Sequence, residues 1–308
     1  MGVLVYVLGR TGTGKSYSMR NFPKDKLAVV NVEGKILPFK GSGAIETTNT
    51  DDSDKILRSL EIYSKDYKSI VVDDFQYVMS NEFMRRAAER GFDKFTEIAA
   101  HAWGIADKVR ELPSDVIVYV MCHTDVDAEG TERLKTIGKL LDEKIYLEGM
   151  STIVLKTLVS DGKYSFATQN NGKDTVKSPA DMFPAYTIDN DLYYVDQKIR
   201  EYYGLGAVMS PEELVKADAD AAHDDVQKPE KKKRGNRGKE KKEEPAETSQ
   251  KEKEEIANAG IPDDGREEVP FEEIEMPTRK EREQPSEEPE GTSEASEETP
   301  KRRRRRRA

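Results

Sequence analysis

The eight residues Gly9-Arg10-Thr11-Gly12-Thr13-Gly14-Lys15-Ser16 restrict the fold of this chain more than any other stretch. They fit G-x-x-x-x-G-K-[ST], a loop that wraps phosphate in main-chain N–H groups. Glycine at 9, 12 and 14 permits turns that a Cβ would block. Successive amides then make a nest for anionic oxygens. Lys15 sets an ammonium at the outer phosphates, and Ser16 offers a hydroxyl to a Mg²⁺ that bridges them. The neighbours of the loop agree. Val3-Leu4-Val5-Tyr6-Val7-Leu8 is an apolar, β-branched run suited to a buried strand. Tyr17, Ser18 and Met19 with Pro23 as a stop suit a short helix. A Gly/Thr surface loop is the bland alternative, and these flanks weigh against it. Residues 9–17, from Gly9 to Tyr17, are the expected phosphate and nucleotide ligands.

A second strand, Leu27 to Val32, leads into Glu33-Gly34-Lys35, and Ala44 to Thr47 is a further short strand. Asp51 to Asp66 has helical period, with Asp52 or Ser53 as its cap. Ser69-Ile70-Val71-Val72-Asp73-Asp74 is an apolar strand that ends in two carboxylates. Ligands in α/β proteins bind at the carboxyl ends of strands. Asp73 is therefore the expected metal ligand with Ser16, and Asp74 the group that orients or deprotonates the attacking water. A strand with an Asp-capped turn is the alternative.

Gln76 to Glu89 and Phe92 to Leu112 read as helices. The stripe Phe92, Phe95, Ile98, Ala99, Ala102, Ile105, Ala106 and Val109, with Trp103 among it, suits core packing. Val116 to Cys122 is another apolar strand and runs into His123. A polar group there would lie beside the strand of the phosphate loop, so His123 is a candidate catalytic sensor, or else a turn-stabilising histidine. Asp125 to Gly138 reads as a mobile loop with Arg133 and Lys135, followed by a short helix from Lys139 to Leu147. The loop suits DNA contact or a cation for a neighbouring subunit, and a solvated loop is the alternative. Thr152 to Val159 and Lys163 to Gln169 are strands around Ser160-Asp161-Gly162, a hairpin signal. Ile188 to Tyr203 is the closing helix, capped by Asp189 or Asn190.

Composition divides the chain. Residues 1–204 hold 27 Lys and Arg against 31 Asp and Glu, the only Trp and all thirteen Tyr. That is enough for one α/β core. In residues 205–308 half the positions are charged and Phe271 is the one aromatic. Such a stretch cannot bury enough apolar surface to offset chain entropy, so disorder is expected, with a short helix at 211–222. Its pattern is basic over 231–242, acidic over 243–298 and poly-Arg over 302–307. Val269-Pro270-Phe271-Glu272-Glu273-Ile274 is an apolar cluster suited to a short linear motif. The single Cys122 allows no intrachain disulfide and reads as an inert buried thiol. No run approaches ~18 apolar residues, and no basic leader precedes an apolar segment, so a cytoplasmic location without membrane contact is expected.

The chain resembles the phage-encoded RecA-like P-loop ATPases, often called AAA-domain ATP-binding proteins, which include the Sak-type single-strand annealing proteins. The resemblance covers about residues 1–203. It is carried by residues 9–16, by Ile70-Val71-Val72-Asp73-Asp74-Phe75-Gln76-Tyr77 and Asn81-Glu82-Phe83-Met84-Arg85-Arg86, by His123-Thr124-Asp125, and by the run from Lys135 to Lys144. Gln169-Asn170-Asn171-Gly172 and Ile188-Asp189-Asn190-Asp191-Leu192 add to it. It implies a RecA-like core, a mostly parallel central sheet with helices on both faces, and ATP with Mg²⁺ at the strand ends. It also implies a role in phage DNA recombination or replication, on single-stranded DNA and beside a single-strand-binding protein, as a homo-oligomer in the bacterial host. Lys15 and Ser16 then bind phosphate and Mg²⁺, and Asp73 binds Mg²⁺. RecA-like enzymes carry a catalytic glutamate after a neighbouring strand, and Glu33 is the nearest match, with Asp74 as its competitor. Lys135, Lys139 or Lys144 would supply a cation to the next subunit. The N-terminal oligomerisation domain of full RecA has no counterpart in this sequence.

Overall fold

The computed structural model describes residues 1–223. The basic, acidic and poly-Arg stretches and the 269–274 cluster lie outside the described residues.

Strands form where the apolar runs stand: β1 Val3–Leu8, β2 Leu27–Asn31, β3 Glu46–Asn49, β4 Ser69–Asp73, β5 Ile117–Cys122 and β8 Ile153–Ser160. These six are parallel, in the spatial order β3-β2-β4-β5-β1-β8. Strands buried on both faces are near-continuous apolar runs, and every residue of β2, β4 and β5 is buried, polar only at strand ends at Asn31, Ser69 and Asp73. Beyond β8 the sheet turns antiparallel through β9 Lys163–Ala167, β10 Thr187–Asp189 and β11 Ala222–His223. The β8–β9 turn is Asp161-Gly162, both residues left-handed (φ 50° and 73°), as a two-residue hairpin of matching twist requires.

Helices cover both faces. On one side α1 Ser53–Asp66, α2 Gln76–Arg85 and α3 Asp93–Lys108 pack on Tyr6, Val30, Val72 and Val120. Asp52 caps α1 by accepting from the Lys55 N–H at 3.1 Å. On the other side α4 Leu192–Tyr203 lays Leu192, Val195 and Ile199 against Val7, Val71 and Tyr119. Each such side chain contributes about 1.5–3 kcal/mol by leaving water. A buried ion pair fixes α4. Asp196 accepts from Arg200 Nε at 2.7 Å, Ser69 Oγ at 2.7 Å and Tyr119 OH at 3.0 Å. Arg200 also donates to the Lys68 and Asp115 carbonyls.

Several boundaries differ from the sequence expectation. The closing helix starts at Leu192 under an Asp191 cap, because Thr187–Asp189 is taken up as a strand between β9 and β11. The loop expected over 125–138 holds a hairpin, β6 Thr124–Val126 with β7 Glu132–Leu134. A π-helical turn, Leu140–Lys144, and a 3₁₀ turn, Leu147–Met150, replace the helix expected at 139–147. Phe92, expected in the core stripe, is exposed because α3 begins after it.

The domain also extends past residue 204. Residues 205–223, assigned to the tail by composition, carry the helix expected at 211–222 as α5 Pro211–Ala221, with a full Ser210/Glu213 capping box. Tyr194 donates to Asp218 at 2.6 Å, and Gln197 accepts from the Val208 and Met209 amides. The charge of the longer segment masked these local contacts. No helix of the described residues is long and apolar enough to cross a membrane.

Candidate nucleotide site

The phosphate loop leaves β1 at the carboxyl edge of the sheet and enters a 3₁₀ helix, Ser16–Asn21, in place of a regular α-helix. Two glycines are forced by space. A Cβ on Gly9 would stand 1.9 Å from Thr157 Oγ1, since the loop leans on β8. One on Gly14, where φ is 95°, would stand 2.7 Å from the Tyr164 ring. Thr13 Oγ1 ties the loop to Thr157 Oγ1 at 2.6 Å.

Lys15 is buried. Its ammonium donates to the Gly9 carbonyl at 2.7 Å and the Arg10 carbonyl at 3.1 Å. Burial lowers its pKa, and the charges of Asp74 and Asp73 oppose that shift.

The acid pair sits opposite. β5 lies between β1 and β4, which brings His123 from the end of β5 beside Asp74 from the end of β4. Consecutive strand residues point to opposite faces. Asp74 escapes this by turning left-handed at φ 60°, a conformation uncommon outside glycine. Both carboxylates thereby line one cleft of about 520 Å³, which also takes in Gly12, Gly14, Lys15, Ser16 and Tyr17. That volume lies in the usual range for small-molecule sites.

The two acids differ in character. Asp73 is buried and its Oδ1 has no hydrogen-bond partner. Burial first, then the adjacent Asp74 charge, raises its pKa from 3.8 to about 6 against a hydrogen bond from Ser16 and the charge of Lys15. Burial would raise Asp74 as well. Hydrogen bonds from His123 and Lys35 outweigh it and hold Asp74 well below the usual carboxylate range. Lys35 Nζ is 2.9 Å from Asp74 Oδ2, and His123 Nε2 is 3.3 Å from Asp74 Oδ1.

The raised Asp73 has a consequence for stability. A carboxyl that titrates higher in the folded than in the unfolded chain contributes fully below its unfolded value, and that contribution is lost as pH rises through about 6. At pH 7.5, without metal, Asp73→Asn is therefore expected to stabilise the protein relative to wild type by on the order of 2–3 kcal/mol. The gain should vanish near pH 4. Melting both proteins in chelator at the two pH values checks this, and a difference independent of pH would contradict it.

Other expected site residues lie elsewhere. Glu33 does not line the cleft. Its Oε1 accepts from Asn81 at 2.8 Å, and its Oε2 stands 4.0 Å from Lys35. Arg10 is largely exposed and faces Glu132 at 3.8 Å. Thr11 lines the cleft, whereas Gly9 and Thr13 form the back of the loop. Lys135, Lys139 and Lys144 are exposed and absent from the cleft wall. Several wall residues were not singled out from sequence, Lys35 and Tyr164 among them. Lys35 lies in the turn that follows β2, just after Gly34. Tyr164 packs on Gly14 and Tyr17, and nothing local in sequence announces it.

Among the described residues, no group of three or more His, Cys, Asp or Glu is arranged to hold a metal. A Mg²⁺ at a phosphate needs only one or two protein oxygens, the rest coming from phosphate and water. The unpartnered Asp73 Oδ1 beside Ser16 fits that demand. The chain matches no protein-family model and no curated protein sequence.

Proposed function

We propose that this protein is a RecA-like ATPase that binds ATP with Mg²⁺ and couples nucleotide state to action on DNA. One observation carries the nucleotide part. A buried carboxylate oxygen without a partner, on Asp73, lies beside Ser16 at the mouth of a glycine loop whose lysine is held only by main-chain carbonyls. Ser16 and Asp73 would hold the Mg²⁺, which supplies charge neutralisation to the phosphates when bound.

The protein groups have separable tasks. Lys15 needs only to exchange the Gly9 and Arg10 carbonyls for phosphate oxygens to bring its charge to the substrate. The loop amides at Gly12 and Gly14 donate toward the same anion. Asp74 suits orientation of water better than proton removal, since a strongly acidic carboxyl is a weak base. His123 and Lys35 fix where its oxygens point. The DNA role, the single-strand-binding partner and the homo-oligomer rest on the family resemblance over residues 1–203.

A second reading has its own support. Asp74 engaged on both oxygens favours a nucleotide-gated binding module with little turnover. Steady-state phosphate release from ATP and Mg²⁺, alone and with single-stranded or duplex DNA, separates the two. Turnover that depends on Mg²⁺ and rises with single-stranded DNA is expected. Tight ATP binding without release would favour the gated module.

A further inference from the structure

The cleft carries a second cation besides Lys15. Lys35 follows Gly34, which is left-handed at φ 64°. The buried Asn31 donates its side-chain amide to the Lys35 carbonyl at 2.6 Å, so the backbone is placed from β2 itself. The ammonium lies 2.9 Å from Asp74 Oδ2, 4.0 Å from Glu33 Oε2 and 4.8 Å from the Tyr77 ring centre. Its side chain is 56% exposed, so it can swing toward the cleft without disturbing the core.

Charge balance favours a second cation here. The wall presents Asp73 and Asp74 against Lys15 and Lys35, with His123 titratable. Among the described residues these two lysines are the only Lys or Arg on the wall. Without Lys35, a polyanion would meet two carboxylates and one ammonium already lowered in pKa by burial. Like charges at close range in a partly desolvated site oppose binding.

We infer that Lys35 is the cation that takes up the terminal phosphate of a bound nucleoside triphosphate, supplied by the same chain as the phosphate loop, and that its ion pair with Asp74 is the resting position it leaves. The inference rests on the nucleotide reading above and adds to it the discrimination of triphosphate from diphosphate. The exchange conserves charge pairing. Lys35 trades one carboxylate for phosphate oxygens, and Asp74 Oδ2 becomes free to accept from water. A cation from Lys135, Lys139 or Lys144 of a neighbour is then not required for this contact.

The test is a titration of the full-length protein and its Lys35→Ala and Lys35→Arg variants with ATP and with ADP, in Mg²⁺ at fixed ionic strength. Lys35→Ala should weaken ATP about 10- to 100-fold while ADP changes by less than about 2-fold. Lys35→Arg should restore most of the ATP affinity, and any fall in the melting temperature of the nucleotide-free protein should be small, because the lysine side chain is 56% exposed. An equal loss for ATP and ADP, or no loss, overturns the inference and leaves nucleotide binding standing. Wild-type protein that binds neither nucleotide overturns both. An equimolar mixture of Lys15→Ala and Lys35→Ala decides whether one chain supplies both lysines. No high-affinity ATP sites should reappear on mixing, and their reappearance would show that Lys35 serves a neighbouring chain.

Discussion

If this protein is the ATPase proposed above, replacing Lys15 with methionine is expected to lower its ATP turnover at least ~100-fold while leaving its fold intact. The lysine is buried with its ammonium spent on the Gly9 and Arg10 carbonyls, so its charge costs the resting protein desolvation, as its lowered pKa records. Methionine keeps most of the packing volume and removes that cost. What it removes from the reacting complex is larger. Charge spreads over the terminal phosphoryl oxygens in the transition state, and a pre-positioned cation in a water-poor cleft acts there with little reorganisation. Loss of Lys15 also removes a charge that holds the Asp73 pKa down, so Asp73 should protonate at still higher pH and bind metal less well. Phosphate release at saturating ATP and Mg²⁺, with a melt of the same sample, measures both effects. A methionine variant that turns over at the wild-type rate would end the hydrolytic reading.

The largest stability loss is expected far from the cleft. Asp196→Ala should cost about 3–5 kcal/mol, because it strands the Arg200 guanidinium in the interior with Ser69 Oγ and Tyr119 OH also deprived of their acceptor. A domain is usually stable by only about 5–15 kcal/mol, so this variant should sit close to unfolding. The desolvation argument makes a sharper statement. Removing both charges in Asp196→Leu/Arg200→Met should recover part of the loss, since an apolar pair avoids the uncompensated ion. Urea midpoints of the wild type, Asp196→Leu, Arg200→Met and the double variant give the coupling. A cost for Asp196→Ala below about 1 kcal/mol would show that water reaches this pair freely.

The parts of this fold that could be read from sequence are those fixed by local chemistry. The β1 run, the glycine loop, the strand expected over Ser69–Asp74 and the Asp161-Gly162 turn each carry their own instruction; the strand ends at Asp73, and the others are found where their pattern places them. The adjacency of β5 to β1 was legible too, because a fully apolar strand ending in His123 has a natural place inside a parallel sheet. What stayed hidden depends on distant partners. Thr187–Asp189 pairs as a strand because β9 offers a free edge, which overrides the cap signal at Asp189 and Asn190. Residues 205–223 looked like tail because their charge was averaged with the residues beyond them. Lys35 could be seen as a residue but not as a wall of the cleft, since its role needs the left-handed turn at Asp74 that aims a carboxylate at it.

The β8–β9 hairpin has an unexpected tie to the loop that begins the chain. Tyr164 rests on Gly14 because only two residues, Asp161 and Gly162, separate the paired strands. A strand shifted by a single residue turns every side chain to its opposite face. One inserted amino acid at this surface bend would therefore swing the ring off the glycine and open the side of the glycine loop. Surface turns normally accept such insertions. Here the tip is a spacer whose length is set by a loop near the start of the sequence.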